Sequence, residues 1–155
     1  AALALTGTPP SAPAPASATP AAFPLDTAAI ARTIGVIGRV NGGVFQLSAP
    51  RAEAIREGDF VVPASMGLGT AINFQPTEAG RAAITGDFVL LAAEVAPVIH
   101  ALREGGIEVT SLHNHLLQEE PRLFFLHFWG NDDPLKLARG LRAALDKTNS
   151  LISPR

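Results

Sequence analysis

Hydrophobic and polar positions repeat along this chain in two rhythms, one of period two and one of period 3.6, and the changes of rhythm mark its elements. The run Gly35-Val36-Ile37-Gly38-Arg39-Val40, Asn41-Gly42, Gly43-Val44-Phe45-Gln46-Leu47 is the clearest local signal. Asn-Gly supplies the positive φ angles of a two-residue turn, so this reads as an N-terminal β-hairpin. A short helix over 28–34, capped by Asp26 or Thr27, precedes it. Residues 50–58 carry Arg51, Glu53, Arg56 and Glu57 and read as a short surface helix or an irregular segment. Phe60-Val61-Val62 is a short strand that Pro63 ends. Met66-Gly67-Leu68-Gly69 lacks the Gly-x-Gly-x-x-Gly spacing of a phosphate loop. Residues 70–75 and 82–91 read as strands on either side of a polar turn.

The rhythm then changes. Over 94–104, Val95, Val98, Ile99 and Leu102 follow the i, i+3, i+4, i+7 spacing of a helix packed on a sheet, with Pro97 expected in its first turn and His100 off the apolar stripe. Gly105-Gly106 ends it. Asn131-Asp132-Asp133-Pro134 opens a second helix running to about 148. Leu135, Ala138, Leu141 and Leu145 face inward on it, and Lys136, Arg139, Arg142 and Lys147 outward. From 82 to 148 the order is strand, helix, strand, strand, helix. The fold class is therefore α+β: a mostly antiparallel sheet with two helices on one face and a split βαβ-like C-terminal half, preceded by the hairpin.

Chemistry concentrates in 108–130, which holds three of the four histidines and the only tryptophan. His113 and His115, two apart on a strand, project from one side with Cα atoms about 7 Å apart, which is metal-ligand spacing. Near Gln118-Glu119-Glu120-Pro121 the chain reverses, and the return strand is 122–129. A loop of three residues, 119–121, or of five ending at Arg122 pairs Leu117 with Leu123. His113 then lies opposite His127, and three imidazoles share a face with Glu119 or Glu120 at its rim. A four-residue loop, 118–121, sends His127 to the other face, because a one-residue slip exchanges the faces of every side chain. The first register is preferred. The return strand is apolar on both faces, with Phe124, Leu126 and Phe128 on one and Leu123, Phe125 and Trp129 on the other. It should be covered twice, by the helices and by the 35–47 hairpin or a second subunit.

Composition narrows the functions. The formal charge of −2 and the lack of a basic run disfavour nucleic acid, and with no cysteine any metal must be held by histidine and carboxylate. Residues 1–25 form a proline- and alanine-rich stretch whose first 24 residues carry no charge, expected to be an extended tail or linker. Its opening Ala-Ala-Leu-Ala-Leu-Thr-Gly reads as the end of a secretory signal, with an ordinary flexible tail as the alternative. Residues 26–148 form one domain and 149–155 a C-terminal tail. No apolar run approaches the roughly 20 residues of a membrane span.

Five runs carry a family resemblance: Ile72-Asn73-Phe74-Gln75-Pro76-Thr77, Gly86-Asp87-Phe88-Val89-Leu90, Glu94-Val95-Ala96-Pro97-Val98, 106–115 ending in His113-Asn114-His115, and Glu120-Pro121-Arg122-Leu123-Phe124-Phe125-Leu126-His127-Phe128-Trp129. On these the chain resembles the LppY/LpqO-like family of exported bacterial proteins and lipoproteins, in a single domain copy and without a cysteine for lipid attachment. The resemblance implies export to the cell envelope, a periplasmic or other extracytoplasmic place, and no established activity.

The residues thus point to a noncatalytic exported domain that acts by binding, as an accessory subunit with a protein partner in the envelope or as a homo-oligomer. His113, His115 and His127, with Glu119 or Glu120, are its candidate ligands for one divalent metal, zinc or copper. The spacing His113-x-His115-x3-Glu119 also matches the first metal motif of cupins, although two helices among the strands argue against a cupin barrel. A metal-dependent hydrolase with Glu119 or Glu120 as base is the alternative. In the plainest reading each histidine finds an ordinary partner in the backbone, Asn114, Thr110 or Ser111.

Overall fold

Among the described residues, eight strands and three α-helices account for the rhythms. The computed structural model describes residues 23–153. In chain order they are α1 (Thr27–Ile34), β1 (Gly38–Asn41), β2 (Val44–Pro50), β3 (Ile55–Glu57), β4 (Phe60–Val62), β5 (Gly69–Pro76), β6 (Ala82–Leu90), α2 (Ala92–Glu104), β7 (Glu108–His113), β8 (Phe124–Asp132) and α3 (Pro134–Leu145). Six strands form one antiparallel sheet in the order β1-β2-β5-β6-β8-β7, and β3 and β4 form a separate ribbon. The fold is α+β. Because β8 lies antiparallel between β6 and β7, the unit β6-α2-β7 is a βαβ crossover split by an inserted strand.

Alternation decides what each sheet face does. Phe45, Leu47, Ile72, Phe74, Ile84, Phe88, Leu126 and Phe128 point one way and are buried with Ile30 and Ile34 of α1, Val98 and Leu102 of α2, and Leu137, Leu141 and Leu145 of α3. Phe88 and Phe128 meet edge-on with ring centres 5.5 Å apart. The residues between them in sequence face away from the helices.

Several local expectations are corrected. The hairpin turn is Gly42-Gly43, with φ of 56° and 82°, and Asn41 closes the ladder opposite Val44. Two glycines carry both positive φ angles with no Cβ penalty, so asparagine is displaced into the strand. Residues 55–57 are a strand, because three residues of β4 are there to pair with them. Helix α2 starts at Ala92, two residues early, since the Glu94 carboxylate accepts the Leu91 N–H at 2.8 Å and closes the first turn from there. Pro97 is therefore the sixth helical residue. Arg142 is buried: its guanidinium donates to Asp146 at 2.7 Å and to the carbonyls of Ile34 and Ser153. The 35–47 hairpin lies in the same sheet as β8 and does not cover it; within the chain the β3–β4 ribbon covers the start of the strand, where Leu123 and Phe125 join Ile55, Leu68 and Val89.

At the C-terminus, Ala52 N–H donates to Asn149 O, Leu151 N–H to Pro50 O and Ser153 N–H to Gly35 O, so residues 149–153 pack on the domain. At the other end Leu25 is buried. Residues 1–22, most of the proline- and alanine-rich stretch, lie outside the described residues.

A node that the sequence reading missed ties these segments together. Arg51, 5 % exposed, spends all five N–H donors. It makes a fork to Glu53 (2.9 and 2.9 Å), a second fork to Glu94 (2.7 and 3.0 Å) and a bond to Val89 O at 2.8 Å. Asn149 completes it by donating to both glutamates.

Candidate functional site

The site grows out of an irregularity in the β7–β8 ladder. Glu108 and Val109 pair with Trp129 and Phe128, whereas Ser111, Leu112 and His113 pair with His127, Leu126 and Phe125; Thr110 is the extra residue of a bulge. An inserted residue exchanges faces for everything beyond it. Regular alternation from Val109, opposite the core residue Phe128, would turn Ser111 and His113 toward the helices. The bulge puts them on the open face beside His127.

The expected registers are thereby corrected. The connection spans 114–123, and His113 lies opposite Phe125 and diagonal to His127. Ladder pairing stops because the loop is held elsewhere. The buried carboxylate of Glu119 accepts the Leu123 N–H at 3.0 Å and Arg122 at 3.2 Å, and Glu120 exchanges two backbone hydrogen bonds with Arg56 of β3. Asn114 reaches across the loop to Leu123 O. The face assignment expected for the histidines is the one observed, because the observed and preferred registers differ by an even number of residues.

Three imidazoles are gathered as a result. The centres of the His113 and His127 rings lie 4.9 Å apart and nearly parallel, and those of His113 and His115 lie 5.0 Å apart. His115, just past the strand, stacks on Phe125 with centres 3.5 Å apart. His127 Nδ1 stands 3.1 Å from Gly86 O. A carbonyl can only accept, so Nδ1 carries the proton there, and in the neutral ring Nε2 is the nitrogen with the lone pair.

Asp87 pairs directly with His127 across the sheet. The His115 pKa is pushed below the usual imidazole value by burial and by the neighbouring His113 and His127, with Asp87 pulling the other way. His115 is exposed as a residue, while its ring is stacked on Phe125. Neutral imidazole is the form that binds metals. As the rings stand, stacked rather than pointing at one another, no group of three or more His, Asp or Glu among the described residues is set to hold an ion.

Of the residues expected to act together, the fold brings His113, His115 and His127 to one place and commits Glu119 to the loop. Glu120 is exposed at the pairing with Arg56. Asp87 is the nearby carboxylate that sequence reading missed. The alternation of Thr85 and Asp87 with the core residues Ile84 and Phe88 already assigned it to the open face. His100 is exposed on α2.

The family model described as Domain of Unknown Function (DUF1259) matches residues 28–147, from the first turn of α1 to just past α3. The chain belongs to the DUF1259 family. Comparison with curated proteins and with solved structures found no match. In this DUF1259 chain the matched span includes both strands that carry the histidines, the bulge between them and Asp87. No helix of the described residues is long and apolar enough to cross a membrane.

Proposed function

We propose that this DUF1259 domain acts by binding, and that His113, His115 and His127 ligate one divalent metal, zinc or copper, on the open face of its sheet. The supporting observation is the spacing of the rings. Two imidazoles bound tetrahedrally to one zinc through bonds of about 2.0–2.1 Å have ring centres about 5 Å apart, and His113 stands at 5.0 and 4.9 Å from its two neighbours. A protonated Nδ1 on His127 held by Gly86 O is the outer partner that metal-binding imidazoles use. Asp87 adds negative charge beside a cation. We further read the domain as an exported envelope component working within a larger assembly, on the strength of its LppY/LpqO-like runs and its uncharged N-terminal stretch.

Of the two bases that the hydrolytic alternative names, Glu119 is spent on the loop and Glu120 is exposed where its backbone pairs with Arg56. The test is elemental analysis of protein purified without chelator, together with imidazole NMR during Zn²⁺ titration. One ion per chain, saturable shifts of all three rings, and loss of both in His113→Ala are expected. Substoichiometric metal with unmoved imidazole signals sinks the proposal.

A further inference from the structure

A second site of different chemistry lies beside the histidines. The strand partners Gln46, Asn73, Thr85 and Trp129 form one row across β2, β5, β6 and β8 on the open face. Trp129 is 45 % exposed, and it borders a depression of about 240 Å³ that these four residues line with Gln75. Gln46 and Asn73 also wall a neighbouring depression of about 430 Å³ that reaches across β1 to Arg39 and Ile37. Together the two reach the roughly 300–1,000 Å³ of ordinary small-molecule sites.

The polar groups here are held in place and only partly used. Asn41 donates to Gln46 Oε1 at 3.3 Å, Gln46 donates to Asn73 Oδ1 at 3.2 Å, and Asn73 donates to Thr85 O at 3.2 Å. Each of these amides keeps a second N–H and a spare acceptor lone pair. Among the described residues the Gln75 amide, the Thr85 hydroxyl and the Trp129 indole N–H make no hydrogen bond to protein.

This lining selects a ligand class. No charged side chain borders the first depression, so a charged ligand would go unpaired there. Amides both donate and accept, as hydroxyls do. A flat, exposed indole face suits a ring whose own face is C–H and whose edge is polar. Two depressions meeting at one amide pair suit a ligand of at least two linked rings. We propose that this face binds a neutral oligosaccharide, one sugar ring on Trp129 with its hydroxyls on the Gln46–Asn73 amide row, and the next ring in the second depression. The histidines are not needed for this contact.

Trp129 is the only tryptophan, so intrinsic fluorescence reports on this site alone. The full chain is titrated with maltotriose, cellotriose and N-acetylchitotriose, and with adenosine as a flat ring of another class, each up to roughly 10 mM. A saturable change with at least one trisaccharide is expected, retained in His113→Ala and weakened about tenfold in Asn73→Ala. Should Asn73→Ala melt early, Gln75→Ala at its exposed position takes its place, with a smaller expected weakening of about threefold. No saturable change with any trisaccharide, affinity indifferent to these amide substitutions, or adenosine bound as tightly would each overturn the proposal.

Discussion

Replacing Arg51 by alanine should be among the most damaging single changes outside the hydrophobic core. The side chain of Arg51 is 1 % exposed, and its partners Glu94 and Glu53 are 13 % and 26 % exposed. Truncation removes five hydrogen bonds at once and leaves two largely covered carboxylates without their cation. Breaking a buried ion pair from one side costs about 3–5 kcal/mol. In a domain of this size that lowers the melting temperature by roughly 10–20 °C.

The loss should depend on pH. The two glutamates outweigh the burial that opposes the Arg51 charge, so its pKa is raised. Burial opposes the Glu53 charge as well, but hydrogen bonds from Arg51 and Asn149 outweigh it and hold the carboxyl below its usual 4.5. A carboxylate with a depressed folded pKa contributes stability that is complete above the unfolded value and is lost as pH falls through the folded one. Urea unfolding of wild type and Arg51→Ala at pH 7 and pH 3 measures this, with the difference between the two proteins large at pH 7 and much smaller at pH 3. Arg51→Met combined with Glu53→Gln and Glu94→Gln should recover much of the loss, because no bare charge is then buried. A cost below about 1 kcal/mol at pH 7, or one that does not change with pH, would show that the node is an ornament of the surface.

Two further outcomes concern the site. Phe125→Ala removes a buried ring at a cost of about 3–5 kcal/mol, and it also uncovers the ring face of His115; NMR titration should find the His115 pKa moved back up toward 6.5. Gly86→Ala should abolish soluble expression or lower the melting temperature severely, because a Cβ there would overlap the Ala71 carbonyl of the adjoining strand. If circular dichroism shows Gly86→Ala folded with a wild-type melt, the close approach of β5 and β6 is not as described.

What could be read in advance followed from local rules. Period-two and period-3.6 patterning located both long helices, the long strands and the split βαβ order, and Asp133 with Pro134 marked the start of α3 to the residue. Segments whose structure depends on a distant partner were not legible. Residues 55–57 are a strand because β4 returns to pair with them, and Arg142 is buried against a carbonyl of Ile34, 108 residues away in the chain. Arg51 and Glu94 lie 43 residues apart, and no spacing rule connects them.

The histidine cluster shows the same limit in a sharper form. Alternation makes a face assignment depend only on whether the count of intervening residues is odd or even. Two facts that no local pattern carries entered that count here: the bulge at Thr110, and a ten-residue loop pinned by Glu119 and by the pairing of Glu120 with Arg56. Together they bring His113, His115 and His127 to a surface that an antiparallel sheet ordinarily fills with unremarkable polar residues. The same face carries a half-exposed tryptophan and a line of linked amides. Packing needs none of these groups, since the core is closed on the helix side and under the β3–β4 ribbon. Their concentration on the side that stability leaves free is the physical reason for placing recognition there.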